Sequence, residues 1–384
     1  MRFPGFEGEW EECTFGECCS GFDYGMNAAS KPFDGEHKYI RITDIDENTS
    51  EYKEDSVVSP DADIDEHYRV NENDILFART GASTGKTYLY NPKDGRLYFA
   101  GFLIRMKVSP QNDSRFVFYQ TQTPRYKKWV QIMSMRSGQP GINSQEYSSY
   151  PIILPKREEQ ERIARLLSLI DQRIAIQNKV IEDLKKLKTA IEERIIKLVQ
   201  GKQISIGDIL EERNEKSTEN NQFEVLSSTV TGIFSQRAYF NKEIASANNS
   251  GYKIVHRGDI VLSPQNLWMG NINYNDSFEI GIVSPSYKVF SIRKAFDERY
   301  VAFLLKTKKA LWAYSLVSEQ GASIVRRNLN LESFLEISFP TPSYSKQKEI
   351  GKVISVINRK ILLEQKQLLS LNEQKYYLLG NLFI

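Results

Sequence analysis

The stretch Leu154-Pro155-Lys156-Arg157-Glu158-Glu159-Gln160-Glu161-Arg162-Ile163 returns about 187 residues later as Thr341-Pro342-Ser343-Tyr344-Ser345-Lys346-Gln347-Lys348-Glu349-Ile350. Pro155 aligns with Pro342, Gln160 with Gln347 and Ile163 with Ile350. The apolar positions then stay in step: Leu166 with Val353, Leu167 with Ile354, Ile170 with Ile357 and Ile174 with Ile361. Each copy opens a long helix and closes one half of the chain. A chain built twice as globule plus helix is expected to act twice, about a pseudo-twofold axis. Duplex DNA is a partner with local twofold symmetry of its own.

No proline or glycine interrupts the chain from Arg157 to about Val199. Steps of seven from Ile163 meet Ile170, Gln177, Leu184, Ile191 and Leu198, and the neighbouring stripe carries Leu167, Ile174, Ile181 and Ile195. This is a heptad-like seam. About 43 residues at ~1.5 Å each make a rod on the order of 65 Å long, too long to bury its stripe against a small globule. The second copy, from about Ser345 to Leu379, steps through Ile350, Ile357, Glu364, Leu371 and Leu378, with Ile354, Ile361 and Leu368 beside them. Two equal stripes in one chain satisfy each other. A whole globule separates them in sequence, which favours the antiparallel arrangement. Gln177 and Glu364 share one slot, where a polar residue either fixes register or marks a locally solvated stretch of seam.

The repeat extends into the globules. Phe15-Gly16-Glu17-Cys18 corresponds to Ile206-Gly207-Asp208-Ile209, the segment Val70 to Phe77 to Val255 to Leu262, and Arg115-Phe116-Val117 to Arg299-Tyr300-Val301. Short apolar runs predict strands over Tyr39–Ile42, Asp74–Phe77, Phe223–Leu226 and Asp259–Leu262. Phe116–Val130 and Tyr300–Leu316 each read as one helix. Each globule closes on a short strand, Ile152–Leu154 or Ile337–Phe339, ended by proline. The expected fold class is α+β, with two globular α/β domains in pseudo-twofold repeat and two long helices in an antiparallel coiled coil.

With 384 residues and 40% apolar content the chain suits two or three domains with real cores. A net charge of +2 neither announces nor excludes nucleic acid, because local patches decide. The polar start Met1-Arg2-Phe3-Pro4-Gly5-Phe6 predicts no signal peptide, and no apolar run approaches the roughly 20 residues of a membrane span. Cys13, Cys18 and Cys19 lack metal-ligand spacing and read as small, half-buried residues of a reducing cytoplasm. His37, His67 and His256 form no catalytic arrangement, so no metal and no catalytic residue is expected.

Gly81-Ala82-Ser83-Thr84-Gly85-Lys86-Thr87 is similar to a phosphate-binding loop, but three residues rather than four part its glycines, and Tyr88-Leu89-Tyr90 reads as strand where a helix is needed. The other half carries Pro264-Gln265-Asn266-Leu267-Trp268-Met269-Gly270-Asn271 at this place. A loop after a strand, equivalent in both halves and different in side chains, fits the spacing better. Arg79, Thr80, Ser83 and Lys86 offer donors in the first copy, and Gln265, Asn266 and Asn271 offer amides in the second. Arginine reads guanine edges, while asparagine or glutamine reads adenine edges. An ordinary polar turn is the alternative. Lys127 and Lys128, and Lys308 and Lys309, lie on equivalent helices and can neutralise phosphates while Trp129 and Trp312 pack inward. A solvated helix face is the alternative there. Arg136, Gln139, Arg326 and Arg327 follow these helices as further contact candidates. No methyl-donor loop, base-methylation tetrapeptide, helicase motif or nuclease acid cluster is present in the sequence.

These residues resemble the specificity subunit, HsdS, of type I restriction-modification enzymes. The resemblance rests on Gly8-Glu9-Trp10-Glu11 leading into Phe15-Gly16-Glu17, on Asn73 to Gly81, on Ile153-Leu154-Pro155 with Glu159-Gln160-Glu161-Arg162-Ile163, and on Leu167, Ile170, Asp171 and Ile174. It covers essentially the whole chain. It implies target recognition domains over 1–155 and 202–343, each reading half of a bipartite, asymmetric DNA site, and conserved helical regions over 156–201 and 344–384. The helices would space the half-sites and seat two modification (methyltransferase) subunits through Ile163, Leu167, Ile170, Ile174, Gln177, Leu184 and Ile191, with Ile350, Ile354, Ile357, Ile361, Glu364 and Leu371. The chain would be non-catalytic and bind no cofactor. The modification and restriction subunits would use S-adenosylmethionine, ATP and Mg in a bacterial or archaeal cytoplasm, away from any membrane. Ser263-Pro264 in place of Ala78-Arg79 weakens the transfer of DNA contacts to the second half. A nucleotide-hydrolysing enzyme built on Gly81 to Thr87, or a purely structural adaptor, are the competing readings.

Overall fold

Arg157–Leu198 forms one helix of 42 residues and Tyr344–Asn381 a second of 38. The structure, a computed structural model, describes residues 2–135, 140–240, 248–320 and 327–383. The chain divides into two compact units, Met1–Asn178 with Lys366–Ile384, and Lys179–Gln365. Each holds one globule and one half of each long helix.

The seam is buried as its periodicity requires. Ile163 and Leu167 are fully enclosed, Ile350, Ile354 and Leu371 nearly so, and Ile170, Ile174, Leu184, Ile191, Ile357 and Ile361 half-buried. Leu198, the last of the seven-residue steps, stands outside the seam at 65% exposure. In the first unit the opening turns of the first helix (Ile163, Ala164, Leu167) share a core with the closing turns of the second (Leu379, Leu382, Phe383). In the second unit Ile350 and Ile354 from the start of the second helix meet Ile191, Ile195 and Ile196 from the end of the first. Start against end in each unit makes the pair antiparallel. Gln177 and Glu364 are both buried, and the Glu364 carboxylate pairs with Lys360.

Each globule is built on a four-stranded antiparallel sheet of the same order. In the first the order is Cys19–Tyr24, Leu103–Val108, Asp74–Ala78, Thr87–Leu89; in the second it is Leu210–Glu212, Lys288–Ile292, Ile260–Leu262, Ile272–Tyr274. Each closes on an antiparallel pair of distant strands, Glu11–Thr14 with Pro151–Leu154 and Lys202–Ser205 with Ser338–Thr341. The flanking small sheets repeat in direction and differ in extent. Lys38–Ile40 runs parallel to Leu97–Phe99, as Val225 bridges Ile282 in parallel, and Lys253–His256 runs antiparallel to Ile280–Val283, as Arg69 bridges Tyr98 antiparallel. Within the run predicted as a strand at Phe223–Leu226, Val225 bridges Ile282 and Leu226 opens a short strand to Ser228 that pairs with Ile233–Ser235.

The single helix expected in each globule is two. Ser114–Gln120 is followed by Pro124–Met133, and Glu298–Leu304 by Lys308–Leu316. Thr123 and Thr307 start the second helix of each pair by accepting from the Tyr126 and Ala310 amides, and Pro124 cannot continue the first. The break also corrects the reading of Trp312. Thr123 and Thr307 are equivalent, so Trp129 corresponds to Ala313 and Trp312 lies one position earlier, about 100° away. Trp129 packs against Tyr126, Tyr147 and Tyr150, while Trp312 faces outward at 65% exposure and Ala310 and Tyr314 fill the core.

One side chain joins each globule to its long helix. Gln160 Oε1 accepts from the Asp113 amide at 2.9 Å, and its Nε2 donates to Pro155 O at 2.9 Å and to Asn112 Oδ1 at 3.2 Å. Gln347 repeats this with the Asp297 amide at 3.0 Å and Pro342 O at 2.9 Å. Asp113 and Asp297 in turn cap the helices Ser114–Gln120 and Glu298–Leu304. A second repeated element enters the central strand. Asp74 accepts from the Asn71 amide and Asp259 from the His256 amide, after Asn73 and Gly258 at φ 70° and 96°. Burial pushes the Asp74 carboxyl up to about 6 and raises that of Asp259, against opposing hydrogen bonds from those amides.

Gln160→Ala leaves a buried amide and a buried carbonyl unpaired, which costs on the order of 2–4 kcal/mol; Gln347→Ala should cost a similar amount. Denaturant titration checks both, and a loss below about 0.5 kcal/mol at either site would contradict the pin. Asp74 gives a pH signature. Below about pH 4 folded and unfolded chains both hold its proton. Between about 4 and 6 only the folded chain does, so this group's penalty on folding grows as pH rises through that window. Asp74→Asn should remove a pH-dependent difference on the order of 2–3 kcal/mol between pH 4 and 7; parallel stability profiles for variant and parent would refute the shift.

Candidate nucleic-acid interface

The central strand of each globule delivers the chain into a short turn, Gly81–Ser83 in the first and Pro264–Met269 in the second. Both loops are fastened at their ends. Gly85 N donates to Ala78 O at 3.0 Å, Gly81 N to Pro140 O at 2.9 Å and Ile142 N to Arg79 O at 2.9 Å. Ser263 N donates to Asn271 O at 3.0 Å. Gly85 and Gly270 end the loops at φ 90° and 91°, and a Cβ would meet Val130 Cγ1 at 2.4 Å or Leu311 Cδ2 at 2.9 Å. Glycine thus supplies both the left-handed turn and the close approach to the neighbouring helix.

The side chains of the two loops are unlike. Thr80, Ser83 and Lys86 are half-buried, and Lys86 Nζ stands 3.5 Å from Glu47 Oε2. Arg79 lies over the Tyr24 ring, its Cζ 5.0 Å from the centroid. Burial raises the Tyr24 phenol, but hydrogen bonds from Ser144 and the charge of Arg79 outweigh it and leave the group below its ordinary value. In the second loop Gln265 is exposed and Asn266 half-buried. Asn271 is a correction to the sequence reading: at 4% exposure it faces inward. Its amide donates to Ser228 O at 2.9 Å and accepts from Ser228 Oγ at 2.7 Å, so it supports the loop.

Lys127, Lys128, Lys308 and Lys309 all stand exposed on their helices, with Lys308 Nζ 2.7 Å from Glu193 Oε1. Arg327 sits over Trp268, its Cζ 4.3 Å from the ring centroid. Arg136, Gln139 and Arg326 lie outside the described residues. Sequence reasoning missed Tyr24, and it gave Trp268 no role although Trp268 lies in the loop it had singled out. It also missed Arg105, a buried arginine on the strand beside the central one, whose Nη2 meets Asp23 Oδ2 at 2.7 Å and which lies over Phe99.

The loop that resembles a phosphate site forms one short turn and runs into the strand Thr87–Leu89, so no helix N-terminus faces it. Among the described residues no group of His, Cys, Asp and Glu could hold a metal ion. No helix in them is long and apolar enough to cross a membrane.

The type I restriction enzyme MjaVIII specificity subunit of Methanocaldococcus jannaschii is 29% identical over 148 residues, which is 38% of this chain and 34% of that protein. The putative type I restriction enzyme MjaX specificity subunit of the same organism is 23% identical over 328 residues, 78% of this chain and 75% of that protein. The crystal structure of a type I restriction-modification S subunit from M. genitalium superposes with a TM-score of 0.65 at 16% identity, over 100% of this chain and 99% of that one, and so shares the fold. The model of the type I restriction modification DNA specificity domain matches residues 8–186 and again 200–373. The chain belongs to this family and carries its domain twice.

Proposed function

We propose that this chain reads a bipartite, asymmetric DNA sequence, one half-site per globule, and seats two modification subunits on its long helices. The observation that carries the reading is the division between what repeats and what does not. Sheet order, helix pair, aspartate turn and glutamine pin recur in both halves, while the loops beside the central strands carry Arg, Thr and Lys in one and Gln, Asn and Trp in the other. A shared frame with unlike loops is what reading two different half-sites needs. Lys127, Lys128 and Lys309 are exposed beside these loops and suit phosphate contacts.

The long helices carry a second apolar set outside their seam. In the first unit Leu169 and Ile176, and Leu369 and Tyr376, stand exposed seven residues apart. In the second unit Val180 and Leu187, and Val356 and Leu363, do the same. A heptad-spaced apolar stripe left in solvent suits a partner helix. The chain would be non-catalytic. Adenine methylation with S-adenosylmethionine, and ATP- and Mg-dependent translocation and cleavage, would belong to the modification and restriction subunits in a bacterial or archaeal cytoplasm.

Co-expression with the cognate modification subunits should methylate a split motif in genome-wide methylation mapping; a continuous palindrome, or no change, would sink the reading. In that complex Lys127→Ala with Lys128→Ala should weaken binding to all sequences alike and lower the salt slope by roughly 0.9 per lost phosphate contact. Ile176→Asp with Leu169→Asp should abolish co-purification of the modification subunits while denaturant stability moves by less than about 1 kcal/mol; retained assembly would remove the docking stripe.

A further inference from the structure

Each globule sets one arginine over one aromatic ring beside its loop, and the two are assembled from opposite parts. In the first, Arg79 belongs to the loop and Tyr24 to the edge strand Cys19–Tyr24. In the second, Trp268 belongs to the loop and Arg327 to the strand Arg327–Leu329. The helices Ser144–Ser148 and Leu331–Glu336, capped by Asn143 and Asn330, are equivalent. That places Arg327 opposite Pro140, whose carbonyl holds the first loop through Gly81 N. The backbone of Arg327 thus corresponds to the segment that borders the first loop beside Arg79, where Thr80 bridges Gly141 and Ile142 N donates to Arg79 O.

Among the described residues neither Arg79 nor Arg327 has a carboxylate partner. Arg41, Arg96, Arg105 and Arg213 in the same globules are paired, with Asp44, Glu66, Asp23 and Asp259. Arg79 and Arg327 are both half-buried, whereas Arg125 and Arg299, for which no carboxylate pair is formed among the described residues either, stand exposed. A long side chain held against a ring has lost rotamer freedom before any ligand arrives, and the Nε of both arginines is buried without a hydrogen-bond partner. Tyr24 is itself oriented, since its hydroxyl accepts from Ser144 N at 3.2 Å and lies 3.1 Å from Ser144 Oγ. Tyr24, Arg79, Gly101 and Phe102 line a cleft of about 400 Å³, and Phe102 stands 58% exposed at its rim. Exposed lysines already supply charge for phosphates, and a fixed planar fork matches the two coplanar acceptors of a guanine edge, O6 and N7; such a fork also fits a phosphate, and the salt slope separates the two.

We propose that Arg79 and Arg327 each read a guanine edge, one in each half-site, and that Tyr24 and Trp268 are the positioning residues that hold them. This rests on the DNA-reading function proposed above. The test is methylation mapping and competition binding with the complex of full chain and modification subunits. Each half of the parent motif should contain a G·C pair. Arg79→Ala should relax one G·C position in one half-site, lowering discrimination there on the order of 10- to 100-fold, and leave the other half-site and the salt slope unchanged. Arg327→Ala should do the same in the other half-site. Tyr24→Phe, which keeps the ring but not the Ser144 bonds, should lose less specificity than Tyr24→Leu at the position that Arg79 reads. A uniform loss over all sequences with a salt slope lowered by about 0.9 would make these arginines phosphate contacts and overturn the proposal. So would relaxation of the same half-site by both variants, or an unchanged motif. Absence of any split motif with the parent chain would instead overturn the DNA-reading function itself.

Discussion

The rest of the structure hangs on a buried amide. Gln160 and Gln347 are 2% and 3% exposed, and each satisfies a carbonyl just before its own long helix and an amide at the start of a globule helix. The opening turn of a helix leaves backbone donors unpaired, and a buried end without partners is costly. One planar side chain bonded at both ends fixes the rod to the globule in direction as well as position. The capped helix beyond it packs on the four-stranded sheet, so the recognition loop at the strand end inherits its placement from the same bond. The second copy draws the parts closer still. Gly351 stands where the first copy has Ala164, and a Cβ there would meet Asp297 Oδ1 at 2.6 Å and Arg299 Cβ at 2.9 Å. A glycine inside a helix costs about 0.5–1 kcal/mol against alanine, which this contact explains.

Duplication left the two units alike in frame and unlike in detail. In the first, Lys375 Nζ meets Asp171 Oδ1 at 2.6 Å and the Tyr119 hydroxyl donates to Asp171 Oδ2 at 2.7 Å, joining both long helices to the globule. The corresponding positions of the second unit are Lys188, Asn358 and Phe303, so the triad is gone, and Lys308 to Glu193 provides a surface pair in its place. The buried glutamines were kept because losing either strands polar backbone. The triad is partly solvated, where an ion pair is worth little, and it was free to drift.

The same physics decides what the sequence makes legible. The rods and their seam follow from periodicity, because a stripe repeated at seven must be buried along its length, and the antiparallel pairing follows from the globule that separates the two helices in sequence. The glutamine repeat is visible because each glutamine stands five residues after a matching proline, whose carbonyl it binds, whereas its other partner, Asp113 or Asp297, lies 47 or 50 residues away and is not visible. The break between the two globule helices is harder, since Thr123 and Thr307 signal an N-cap only once the preceding turn has stopped. Trp312 misleads because a shift of one residue changes its face. Asn271 misleads because an amide that supports a loop and one that reads a base have the same chemistry, and only its 4% exposure tells them apart. Tyr24 carries no local signal at all, as its partner Arg79 is joined to it through the sheet.

The exchanged arginine stacks bear on how the two halves came to differ. Had a stack been present before duplication, arginine and ring would occupy matching positions in both copies. Instead the loop gives the cation in one and the ring in the other. The two stacks are therefore built differently, on loops whose ends are fixed alike by the strand, the left-handed glycine and the helix behind it. Such variety requires that the frame hold its shape whatever side chains the loop carries. The glutamine pins and aspartate turns supply that independence, because none of their hydrogen bonds passes through a loop side chain. A frame indifferent to its loops lets one half of a site be rewritten without disturbing the other.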